Sequence, residues 1–274
     1  MITQTNGGSR RAALGFTLIE LLVTLAIIAI LAGLSLGGLA TARFRSRVTV
    51  CANNFRQWGI AVNLYAQEDT QGRLPAFSLP LELFAAKRYD DLYPWLVSLQ
   101  MGTNMARHGV TVPMWFCPAK RGGISFRNTQ NHFESMGRVG KLSTVEDLTE
   151  VWRSQFTFFA GIDYCWWVPR PLDGSTEVYP DPKLSKCRLQ VGWPTRLEAA
   201  SGAIQPILTD WAIGYWNEGG TAIEISGGNG GHEFPPFMTT RSLNALFVDG
   251  HVETRLRKKL DWQLQLGRGA VMLY

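Results

Sequence analysis

The chain has 274 residues, is 46% hydrophobic with ten tryptophans, and carries a formal net charge of +5. That length accommodates one membrane-scale helix and one further domain of about 200 residues with a core of its own. The basic excess is mild and scattered, which excludes nucleic acid as the expected partner. Two of the 27 basic residues, Arg10 and Arg11, stand in an acid-free stretch from Met1 to Gly15, so the rest of the chain is only +3.

From Phe16 to Ala40, 25 residues hold a single charge, Glu20. As a helix this run is about 37 Å long, enough to cross a hydrocarbon layer of about 30 Å. A backbone in lipid must satisfy its own hydrogen bonds, so helix is the expected state. Arg10 and Arg11 hold the short N-terminal end in the cytoplasm and send everything after Ala40 outward. The run is too long for the apolar region of a cleavable secretory signal. An ordinary signal anchor explains everything except Glu20. A charge at the centre of a membrane helix costs about 2.5–3.5 kcal/mol, so it calls for a partner. The run contains no cation. A chain cut after Gly15 would begin at Phe16 with a free amine, one helical turn from Glu20 or within reach of a neighbouring helix.

Beyond the apolar run, Phe44, Val48, Cys51, Phe55, Trp58, Val62 and Tyr65 recur at alternating spacings of four and three, a seam on one helical face. Arg43, Arg45, Arg47, Asn54 and Arg56 fall largely off it. The pattern predicts one continuous helix of about 50 residues that ends near Gly72 and Pro75. After it, Leu79 to Gly102 suggests a short helix or two around Leu83 and Leu96. Val110 to Phe116 reads as a strand, 121 to 140 as an exposed loop, and Gln155 to Val168 and Pro206 to Ile213 as strands. Ser226 to Gly231 reads as a flexible loop. Asn244 to Val248 and His251 to Thr254 flank Asp249-Gly250, a pair suited to a two-residue type I′ hairpin. Leu256 to Leu266 suggests a final short helix. Helix first and strands later predict an α+β fold, with an antiparallel sheet packed on the seam of the long helix.

Four cysteines, Cys51, Cys117, Cys165 and Cys187, would face an oxidising compartment under this topology, where an even number suggests pairing in one of three connectivities. No CxxC occurs, and the spacing speaks against zinc.

Gly15-Phe16-Thr17-Leu18-Ile19-Glu20 resembles the processing signal of type IV pilins and type II secretion pseudopilins. The resemblance implies cleavage after Gly15 by a prepilin peptidase, methylation of Phe16, and use of Glu20 for subunit registration in a filament. It implies a leader at 1–15, a transmembrane and filament-core helix at 16–40, its amphipathic continuation at 41–72, and a periplasmic pilin-like domain at 73–274. Expected partners are other pilin or pseudopilin subunits, the peptidase, an inner-membrane assembly platform and the membrane itself. The segment Cys51 to Gly59, then Tyr65 and Gly72 to Pro75, is similar to a large pilin-like family of planctomycetes and verrucomicrobia. That family continues with a cysteine-proline pair, like Cys117-Pro118, and ends in a histidine, about nine residues, then Asp-Gly-His. Asn244, Asp249, Gly250 and His251 match the final motif. His232 departs from it, with sixteen residues between it and Asp249.

His232, Asp249, His251, Glu253 and Asp210 are the candidates for metal or acid–base chemistry. The plainer expectation is a hairpin whose aspartate bonds its own turn. No cofactor is expected, and calcium is the metal that suits Asp210, Asp249 and the carbonyls of 226–231, as hard oxygen donors. Some related pseudopilins hold calcium in a C-terminal loop. No nucleophile elbow, HExxH, P-loop or dinucleotide fingerprint occurs, so no enzyme is expected. Trp166, Trp167, Trp211 and Trp216 suit either core packing or a sugar platform. The rival to a filament subunit is therefore a membrane-tethered binding protein for glycan or calcium, exported by the same route.

Overall fold

A computed structural model describes residues 17–79, 93–120, 124–157, 159–176, 178–180, 192–199, 204–217, 223–225, 231–234, 239–265 and 270–273. The chain forms two compact units that divide between Arg45 and Ser46.

In the first unit, α1 (Leu18–Glu68) begins directly after Thr17. Its best 18-residue window has a mean hydropathy of 2.5, and none of that window is buried. An exposed apolar surface of this extent marks a place of contact with lipid or protein, and the helix is long and apolar enough to cross a membrane.

In the second unit, the seam of α1 faces the core as its spacing predicts. Cys51, Phe55, Trp58 and Val62 are fully buried, with Val48 and Tyr65 partly so, while Arg47 and Arg56 are exposed. The helix ends at Glu68, slightly short of the expected limit. Asp69 stops it: its carboxylate accepts from the N–H groups of Gln71 and Arg73, and Gly72 N–H closes a turn on Asp69 O at 2.9 Å. Trp58 anchors the buried stretch by donating from Nε1 to Met114 O at 2.8 Å, with its ring edge-on to Trp115.

The chain then forms β1 (Leu96–Ser98), α2 (Leu99–Arg107), α3 (Phe126–Ser135) and α4 (Val145–Phe156). Next come β2 (Phe159–Gly161), β3 (Tyr164–Trp166), β4 (Arg170–Pro171), β5 (Val178–Tyr179), β6 (Leu208–Asp210), β7 (Ile213–Trp216) and β8 (Ile223–Glu224). The C-terminal part holds β9 (His232–Phe234), β10 (Thr239–Leu246), β11 (Val252–Leu256), β12 (Trp262–Gln265) and β13 (Ala270–Leu273).

Several local expectations change. Val112–Trp115 is a 3-10 turn rather than a strand, because Pro113 cannot donate to a ladder and Met114 N–H bonds Thr111 O instead. The expected loop at 121–140 contains α3, whose N-terminus is capped by Ser125 Oγ. Leu96 lies in a strand, and Leu83 falls outside the described residues. The expected C-terminal helix is instead a single 3-10 turn at Arg257–Lys259 followed by strands.

The hairpin forms where Asp249-Gly250 predicts it, with different geometry. Only Gly250 of the pair has positive φ, +87°, whereas a type I′ turn needs positive φ at both central residues. Gly250 N–H bonds Phe247 O and Phe247 N–H bonds His251 O, so a three-residue loop connects the strands. Asp249, with its Cβ, avoids the left-handed region, and glycine alone takes it.

The central sheet runs β11-β10-β6-β3, with β9 also on β10, and every pairing is antiparallel. Both faces of β3 and β6 are buried. Tyr164, Trp166, Leu208 and Leu246 pack with the α1 seam. The alternate residues Cys165, Trp167, Leu243, Ala245 and Phe247 join a second core with β13. Strand parity therefore places Asp210, Ser242 and Asn244 on the face turned toward α1.

Candidate functional site

Gly15 and Phe16 lie outside the described residues; Thr17 and Glu20 lie within them. Thr17 is the N-cap of α1. Its N–H and hydroxyl both donate to Glu20 Oε2, at 2.9 and 2.8 Å, and its Oγ1 accepts from Glu20 N–H at 3.2 Å. This is a capping box, two orphan donors of the first turn satisfied reciprocally. The signal T-x-x-E was present in the sequence, where Glu20 reads only as an unpartnered charge. A carboxylate in the first turn also complements the positive end of the helix dipole.

The second unit gathers a different constellation on the α1-facing side of the sheet. Cys51 comes from the seam of α1, Cys117 from the segment after the 3-10 turn, Asp210 from the end of β6, and His232 from the start of β9. All four are buried, and their donor atoms lie within 4.8 Å of one another. Cys51 Sγ donates to Asp210 Oδ1 at 3.4 Å, and His232 Nε2 lies 2.9 Å from Asp210 Oδ2. Asn244 N–H donates to Asp210 Oδ2 at 2.7 Å, and Ser242 Oγ lies 3.0 Å from His232 Nδ1. Cys117 N–H donates to Asp163 Oδ2 at 2.8 Å.

Position follows from local structure. The antiparallel register puts Tyr164 opposite Asp210 and Ser242 opposite His232. Gly231 has φ +69°, and a Cβ there would meet Thr240 Cγ2 at 2.6 Å, so glycine is required for the chain to bring His232 onto β10.

The electrostatics are those of a compact buried ionic cluster. Burial pushes the Cys51 thiol well up, helped by its bond to Cys117 and by the Asp210 charge. Burial acts the same way on Cys117, but its neighbours Cys51 and His232 hold it below the ordinary thiol value. Burial opposes charge on Asp210 and His232 as well. Their mutual attraction overrides it, keeping Asp210 low and pushing His232 up to about 10. The Tyr164 hydroxyl, pushed far up by burial and by the charges of Cys51, Cys117 and Asp210, has no hydrogen-bond partner among the described residues.

The remaining sequence candidates are dispersed. Asp249 and His251 stand exposed at the hairpin turn, with Asp249 Oδ1 accepting from His251 N–H at 3.0 Å and lying 2.6 Å from His251 Nδ1. Of the expected carbonyl donors at 226–231, only Gly231 is among the described residues. Asn244 is buried beside the cysteine cluster, and its Oδ1 accepts from Thr254 Oγ1. Cys165 is a buried thiol on the opposite face of β3, Cys51 and Cys117 are thiols too, and Cys187 lies outside the described residues. Trp166 and Trp167 are fully buried and have no face to offer a sugar. Trp211 is occupied structurally: Nε1 donates to Asp163 at 3.1 Å, and Lys120, paired with the same carboxylate, sits 3.5 Å above its ring.

Residues 10–36 match the prokaryotic N-terminal methylation motif. No curated protein and no solved structure matches the chain. The motif, with the apolar helix that follows it, supports a prepilin-type processed protein of the type IV pilin-like kind.

Proposed function

We propose that the chain is a non-enzymatic structural subunit, a minor pilin or pseudopilin of a type IV pilus or type II secretion pseudopilus. The precursor is inserted with its N-terminus in the cytoplasm, cut after Gly15 and methylated at Phe16. An assembly platform in the inner membrane then extracts it, and the apolar helices pack at the centre of the filament.

The observation that carries this reading is Glu20 near the head of α1, where an exposed apolar stretch lies inside the methylation motif. Cleavage creates an amine at Phe16, next to the positive end of the helix dipole, where a cation is disfavoured. Glu20 supplies the compensating charge, within its own chain or across to a neighbour. Extraction exchanges lipid contacts for helix packing and keeps the carboxylate paired.

The test is mass spectrometry of the mature chain together with a filament assay. A methylated Phe16 at the N-terminus is expected, and Glu20→Val is processed yet fails to assemble. Retention of residues 1–15 in the mature protein would sink the proposal in favour of a simple signal anchor.

A further inference from the structure

We propose that Cys51, Cys117, His232 and Asp210 form a structural zinc site that clips α1 to the sheet. The donor set is two sulfurs, one imidazole nitrogen and one carboxylate oxygen, the ligand types zinc takes in closed four-coordinate sites. Thiolate and imidazole ligands together favour zinc over calcium or magnesium, which take oxygen.

The geometry needs little adjustment. Zinc bonds of about 2.3 Å to sulfur and about 2.0–2.2 Å to nitrogen and oxygen place neighbouring corners of a tetrahedron about 3.3–3.8 Å apart. Cys51 Sγ to Asp210 Oδ1 is already 3.4 Å, His232 Nε2 to Asp210 Oδ2 is 2.9 Å, and all the donor atoms lie within 4.8 Å. The outer partners are also in place. Ser242 Oγ meets His232 Nδ1, leaving Nε2 turned to the cluster, and Asn244 N–H holds the carboxylate. Metal-binding histidines and carboxylates are oriented by such contacts. The buried Tyr164 hydroxyl, unpartnered beside these groups, would find its acceptor in a metal-bound thiolate or carboxylate.

Four buried polar and ionisable groups drawn from α1, β6, β9 and the segment after the 3-10 turn are expensive to desolvate, and an ion that all of them bind repays that cost. Binding takes two thiolates, a carboxylate and a neutral imidazole, so the thiol and imidazolium protons leave to solvent. Every corner is filled by protein, as in structural sites, with none open for a substrate. The spacing that argues against zinc in the sequence registers only local knuckles, whereas this site is assembled by the fold.

The test is metal analysis of the full-length chain, purified in detergent without chelator or reductant. About one zinc per chain is expected, and Cys117→Ser or His232→Ala removes it. Ser242→Ala, which deletes only the outer partner, weakens zinc binding by about 10–100-fold. Cys165→Ala, Asp249→Asn and His251→Ala retain full zinc. Should the ligand variants fail to fold, the wild-type chain decides: after chelation it takes up cobalt with the thiolate charge-transfer absorption of a tetrahedral complex. Wild-type protein that holds no zinc and takes up no cobalt overturns the proposal. So does a Cys51–Cys117 disulfide in the unreduced protein, bound calcium in place of zinc, or loss of zinc on Asp249→Asn.

Discussion

Glu20 and Thr17 hold each other: the glutamate carboxylate accepts from the threonine N–H and hydroxyl, and the threonine hydroxyl oxygen accepts from the glutamate N–H. The carboxylate therefore has a partner without any amine at Phe16. Its two tasks can be separated chemically. Glu20→Gln retains an acceptor for the Thr17 donors and removes the charge. It is expected to preserve first-turn amide protection in hydrogen exchange and to lose filament assembly. Thr17→Ala should do the reverse, loosening the first turn by about 1 kcal/mol with assembly largely kept. Normal assembly of Glu20→Gln would show that the charge is dispensable.

Trp58 is the largest side chain that α1 contributes to the core, fully buried, bonded to Met114 O and edge-on to Trp115 at 4.7 Å. Trp58→Ala should cost about 3–5 kcal/mol through cavity formation. The expected signature is a lower thermal midpoint for the 46–274 unit with the apolar half of α1 still helical by circular dichroism. A loss under 1 kcal/mol would mean that the seam is not the anchor described.

Asp69 gives a pH test. Its bonds to Arg73, with the Gln71 amide, lower its pKa from 3.8 to about 2. A carboxyl depressed in the folded state adds stability above its unfolded pKa and loses it as pH falls through the folded one. The stability gap between wild type and Asp69→Asn should be constant above about pH 4 and close as pH approaches 2. A gap independent of pH would refute the pairing.

Gly250 supplies the one positive φ of the C-terminal hairpin. Gly250→Ala places a Cβ in the left-handed region and is expected to destabilise by about 1 kcal/mol or slightly more. Denaturant unfolding should show a lower midpoint with an unchanged slope. Asp249→Asn, which can still accept from the His251 N–H, should be nearly silent.

Legibility in the sequence followed periodicity. The helical seam from Val48 to Tyr65 could be read because one face of α1 packs and the other is solvated, so the alternating spacing survives in the residue types. The strands at Gln155 to Val168 and Pro206 to Ile213 were legible, and β3 and β6 lie within them, but their limits were not. Each is three residues long and buried on both faces, so Tyr164-Cys165-Trp166 and Leu208-Thr209-Asp210 show no apolar–polar alternation to mark the ends. α4 went unread even though Thr144 caps it by accepting from Asp147 N–H at 3.1 Å.

What the sequence determined by itself is the N-terminal chemistry. A cleavage motif, an apolar run and a helical seam are all encoded by neighbours within a few residues, and short-range hydrogen bonding and hydrophobicity suffice to express them. The cluster of Cys51, Cys117, Asp210 and His232 was decided only by tertiary structure. Its members lie on three elements and one connecting segment, up to 181 residues apart. The register of β3 with β6 and of β9 with β10, together with the packing of α1 on that face, is what brings two thiols, a carboxylate and an imidazole to one point.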